Sequence, residues 1–131
     1  MRRVVLIGLV YFAISFVSVL FTKDAGTEQA VFVWRLSAWT VSAVVFFAHM
    51  AYERFWLRNS TDAMARTVGL AVAIGGFLIA VAAMVNAVRI PHHPPIWLYF
   101  IALVTWPIFT GVPAFAVAFI AGKVLDRFSR R

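Results

Sequence analysis

Four long apolar runs divide the chain, at roughly 4–22, 30–52, 66–88 and 96–122, and only short polar stretches separate them. Each run matches the roughly 20 residues that a helix needs to cross the hydrocarbon core of a bilayer. The pattern predicts an all-α membrane protein, a bundle of four transmembrane helices forming one domain over 1–131. The breaks carry turn chemistry. Asn59-Ser60-Thr61-Asp62 offers N-cap side chains ahead of the third helix, and Pro91-His92-His93-Pro94-Pro95 cannot continue a helix.

Within the runs, spacing assigns faces. In the second, Arg35, Trp39, Ser42, Phe46, His49 and Glu53 fall on one helical face, so Arg35, Ser42, His49 and Glu53 form a candidate functional polar stripe. Arg35 and Glu53 stand about 27 Å apart along the axis at 1.5 Å per residue. They belong near opposite membrane faces, where Arg35 can snorkel outward and His49 and Glu53 approach the inner interface. The first run has a milder face, Gly8, Tyr11, Ser15, Ser18 and Thr22, expected to face the second helix, with Ser18 level with Arg35 and Tyr11 level with Ser42.

The third run repeats small residues, Gly69, Ala73, Gly76, Ala80, Ala83 and Ala87, in a stripe that lets two backbones approach closely. Its partner is either a neighbouring helix of the same chain or a second subunit. The fourth run carries Pro107, Gly111 and Pro113, and each proline removes a backbone donor, so a kink is expected there. Thr105 and Thr110 are the hydroxyls available to serve the freed carbonyls.

Composition strengthens the membrane reading. The chain is 63% hydrophobic and 13% charged, with a mean hydropathy of +0.91, more apolar surface than a 131-residue soluble core can enclose. The net charge of +7 does not point to nucleic acid, because the basic residues crowd into the gaps rather than along one face. Nine Arg and Lys residues fall at the two termini and in the loop after the second helix: Arg2, Arg3, Arg54, Arg58, Arg66, Lys123, Arg127, Arg130 and Arg131. Three, Lys23, Arg35 and Arg89, belong to the other side. The positive-inside rule then puts both termini in the cytoplasm, in a multi-pass cell-membrane protein of bacterial inner-membrane style. Met1-Arg2-Arg3 resembles the start of a signal peptide, but the run behind it is about 19 residues against a usual 7–15, with no small-x-small cleavage site. It reads as a retained helix.

Candidate chemistry is sparse. There is no cysteine, no Gly-rich phosphate loop and no hydrolase elbow, so neither an enzyme nor a cofactor is expected. The five acidic residues, Asp24, Glu28, Glu53, Asp62 and Asp126, all read as lying at or beyond helix ends, which argues against a central carboxylate driving proton-coupled export. His92 and His93 lack enough further ligands for a metal site. The expected partners are the lipid bilayer and other membrane subunits, or self-association through the third helix. The first expectation for function is a non-enzymatic accessory or scaffold subunit of a membrane complex. The alternatives are a small oligomeric transporter or channel, with a path lined by Arg35, Ser42, His49 and a kinked fourth helix, and a haem- or quinone-associated anchor resting on His49.

Overall fold

Capping side chains set where the helices begin. The Thr27 hydroxyl accepts the Ala30 N–H at 3.2 Å and opens α2 at Glu28. Ser60 does the same for α3, accepting the Ala63 N–H at 3.3 Å, and Asp62 in the first turn complements the helix dipole. A computed structural model describes residues 1–23, 25–89 and 94–128. Among these, α1 spans Arg2–Lys23, α2 Glu28–Ala51, α3 Thr61–Ala87 and α4 Ile96–Phe128, and a π-helical turn, Tyr52–Trp56, extends α2. Four helices are therefore long and apolar enough to cross a membrane. Large apolar side chains such as Leu6, Phe32, Ile120 and Phe128 stand exposed on their outer faces.

Two boundaries differ from the sequence expectation. α3 starts at Thr61 rather than near 66, because Ser60 caps a turn in which Ala63 and Ala65 are sound helix formers. α4 continues to Phe128 rather than stopping near 122, since Lys123, Leu125 and Arg127 sustain a helix after the apolar run ends. α4 also runs as one helix through Pro107 and Pro113. The Thr105 hydroxyl donates to Ile101 O at 3.1 Å, and that of Thr110 to Trp106 O and Pro107 O at 3.0 and 3.3 Å. Those are not the carbonyls of Leu103 and Phe109, four residues before each proline, which lose their usual donor.

α3 is the central helix and uses two faces. One carries Gly69, Ala73 and Gly76 against α4: a methyl group built on Gly111 would stand 2.7 Å from Ala73 Cβ and 3.1 Å from Gly69 O. The other carries Ala71 and Gly75 against α1, where a methyl on Gly75 would stand 2.8 Å from Tyr11 Cβ and one on Gly8 3.0 Å from Ala71 O. Both seams depend on absent side chains, and the backbones gain close van der Waals contact in return. The small-residue stripe thus meets α4 of the same chain at Gly69, Ala73 and Gly76. Ala80 and Ala87 are also buried, whereas Ala83 is exposed.

α2 is the least embedded helix. Its link to α1 includes a bond from the Ser18 hydroxyl to Trp34 O at 3.4 Å and a stack of Phe21 on Trp34, with centroids 4.4 Å apart. Gly8 and Tyr11 pack on α3, not on α2 as the sequence suggested, because Gly75 leaves room there for the Tyr11 side chain. At its other end α2 delivers Met50 to a core of Met64, Ala65, Val68 and Ala118, with Phe46 and Phe119 packed against it. That core lies toward the end of the bundle shared by both chain termini, and a gap opens between α2 and α4 farther along.

Candidate functional site

The gap is an open groove of about 600 Å³, lined by all four helices. Its polar positions are Arg35 and Ser42 of α2, Tyr11, Ser15 and Ser18 of α1, and Thr110 of α4. Small residues create the space: Ala38 and Ala43 on α2, Gly75 and Gly76 on α3, and Ala114 beside Pro113 on α4. Tyr11 is 7% exposed, and its hydroxyl is buried without a hydrogen-bond partner. Arg35 is exposed, and among the described residues no carboxylate lines the groove.

The polar stripe of α2 therefore divides. Arg35 and Ser42 line the groove, while His49 and Glu53 are sealed into the bundle, with 5% and 3% of their surface exposed. Glu53 does lie past the end of α2, as the sequence suggests, but it is enclosed rather than exposed at the interface. The π-helical turn, closed by the Leu57 N–H on Tyr52 O at 3.1 Å, prolongs α2 past Glu53 and keeps that carboxylate against the first turns of α3. There its Oε2 accepts from Asn59 Nδ2 at 2.5 Å and from the Thr67 hydroxyl at 3.3 Å. His49 Nε2 lies 3.6 Å from Glu53 Oε1, beyond hydrogen-bond length, and both ring nitrogens are buried without a partner.

A second polar group lies beside the first. Arg54 forms an ion pair with Asp126 of α4 and donates to Asn59 O at 3.1 Å, and the Thr61 hydroxyl donates to Asp126 Oδ2 at 2.7 Å. The chain reverses there through Arg58, at φ +53°, with the Asn59 N–H on Glu53 O at 3.1 Å. Gly122 lets α4 come close: a methyl at that position would stand 2.7 Å from Thr61 Cγ2. Asn59, Thr61, Thr67 and Asp126 were not singled out as site residues from sequence, because their partners lie 6 to 72 positions away in the chain. Only the helical spacing of His49 and Glu53 gave any sign of this cluster.

The other candidates fall elsewhere. Gly111 sits in the α3 seam, and Pro113 lines the groove. His92, His93 and Asp24 lie outside the described residues. Among the described residues no three His, Asp or Glu side chains gather as a metal site would require. Compared with protein-family models, with curated proteins and with solved structures, the chain matches none of them. The groove and the buried cluster thus stand on their own chemistry, the first open and basic, the second closed and self-satisfied apart from His49.

Proposed function

We propose that this chain is a small membrane transport protein whose substrate enters the groove between α2 and α4. The carrying observation is the groove itself: about 600 Å³, within the usual range of small-molecule sites, with Arg35, Ser42 and Thr110 among mainly apolar walls. The reading includes four membrane crossings with both termini in the cytoplasm, supported by the nine-to-three distribution of Arg and Lys. It also gives Pro107 and Pro113 a use. A helix missing two internal hydrogen bonds bends more readily, and α4 forms one wall of the path.

The native absence of cysteine makes the test direct. Ser42→Cys gives a single thiol in the groove, and Val44→Cys gives one on an exposed face of α2. In sealed vesicles a water-soluble maleimide is expected to label the Ser42→Cys protein and to spare the Val44→Cys protein. Failure to label the thiol at position 42 under conditions that label a Gly26→Cys control would remove the groove as an aqueous path.

A second reading, an accessory subunit of a larger complex, has its own support: the most apolar stretch of α2 buries no residue within the chain. Native mass spectrometry in mild detergent separates the two. A stoichiometric foreign subunit would favour the accessory role, whereas the chain alone or with copies of itself favours transport.

A further inference from the structure

The groove carries one full charge. Arg35 lies on its wall, and the ion-pairing carboxylates among the described residues, Glu53 and Asp126, belong to the cluster at the terminal end. Glu28, two turns nearer the start of α2, stands about 10 Å from Arg35 along the axis and does not line the groove. A guanidinium is permanently charged and offers a planar fork of donors suited to carboxylate or phosphate oxygens. Inside a membrane protein such a residue calls for a named counter-charge. Ser15, Ser18 and Ser42 add hydroxyls nearby.

Away from these groups the wall is aliphatic and aromatic, formed by Phe46, Val72, Ile79 and Phe109. From the level of Arg35 to that of Phe46 the groove descends about 16 Å along α2. A partner helix fits it less well than a slender ligand, because only its side chains could enter. A helix about 10 Å across fills 600 Å³ within roughly 8 Å of its length, or about five residues. A single hydrocarbon chain with a charged head matches both the volume and the polarity gradient.

We infer that the groove takes an anionic amphiphile from the surrounding bilayer, its oxyanion head on Arg35 and its chain running toward Phe46. This rests on the groove being the binding site proposed above. The groove's opening between α2 and α4 lets the ligand enter from the lipid phase without crossing the bundle. Tyr11 lies about 10 Å below Arg35, level with Ser42, with its hydroxyl buried and its ring forming part of the wall along the chain.

The test uses the full-length Ser42→Cys protein in neutral maltoside detergent, with protection from maleimide as the readout. The probes are dodecyl phosphate, dodecanoate, dodecylphosphocholine and dodecyltrimethylammonium, and labelling of Gly26→Cys corrects for micelle charge. Dodecyl phosphate or dodecanoate is expected to protect the introduced thiol at concentrations at least tenfold below the cationic probe. Adding Arg35→Gln should erase that preference, and Arg35→Lys should retain part of it. The two anionic probes show whether phosphate or carboxylate is the favoured head. Equal protection by every probe, unchanged by Arg35→Gln, would overturn the anionic assignment and leave the groove reading intact. Labelling at position 42 without protection by any probe would overturn the amphiphile. A thiol at that position that never labels would overturn the groove reading itself.

Discussion

The α3–α4 seam allows a quantitative test at Gly111. A methyl placed there would lie 2.7 Å from Ala73 Cβ, about 1 Å inside the usual carbon–carbon contact distance. Because the obstacle is another Cβ, no rotamer change relieves it, and the helices must part. Overpacking of this kind costs about 1–3 kcal/mol, while Gly→Ala recovers up to about 1 kcal/mol of helix propensity. Gly111→Ala alone is therefore expected to lose only about 0–2 kcal/mol net. The sharper quantity is its coupling to Ala73→Gly, which removes the obstructing carbon and cancels propensity terms in the cycle. The remaining contact, 3.1 Å to Gly69 O, limits the rescue to part of the strain. A coupling of about 1–2 kcal/mol is expected from reversible unfolding in mixed detergent micelles. A coupling below about 0.5 kcal/mol, the scatter of independent sites, would refute direct contact at this seam. A change in oligomer mass without a change in unfolding would instead place the seam between subunits.

Three further outcomes follow from the polar cluster and the topology. Glu53→Ala strips the Asn59 amide of its carboxylate acceptor, while Thr67 keeps Ala63 O at 2.7 Å, and should cost about 1–3 kcal/mol, read by the same unfolding assay, with Glu53→Gln milder. Asp126→Asn should cost about 1 kcal/mol, because the Arg54 and Asp126 side chains remain 22% and 32% exposed, and the difference should shrink in high salt. In right-side-out vesicles of defined orientation, Gly26→Cys should label from outside and Asn59→Cys only after permeabilisation. The reverse pattern would invert the proposed topology.

The four helices were legible because each is a long apolar run, and α2, α3 and α4 also have a capping side chain or prolines ahead of them. Their boundaries were less so: at α3 the apolar count began at the wrong turn, and only the Ser60 cap marks its start. On α3, Gly75 and Gly76 are adjacent and about 100° apart around the axis, so small residues alone could not reveal that two faces are used. Arg35 and Ser42 were recognisable from spacing. That His49 and Glu53 are enclosed was not, because periodicity assigns a side chain to a face but not to the element covering it. The contacts that close over Glu53 come from Asn59 and Thr67, which share no local pattern with α2.

The bond between Arg54 and Asp126 also bears on the order of assembly. Asp126 lies near the end of the last helix, whereas Arg54 and Thr61 are made 72 and 65 positions earlier. On the proposed topology, a growing chain can insert its first three helices and form the α1–α3 seam while Arg54 and Thr61 still face water. Only the arrival of α4 closes that latch and completes the core through Ala118. Until then, on the proposed topology, the loop after α2 is open to cytoplasmic proteases, so a truncation before Asp126 should be degraded faster than one made just after Phe128.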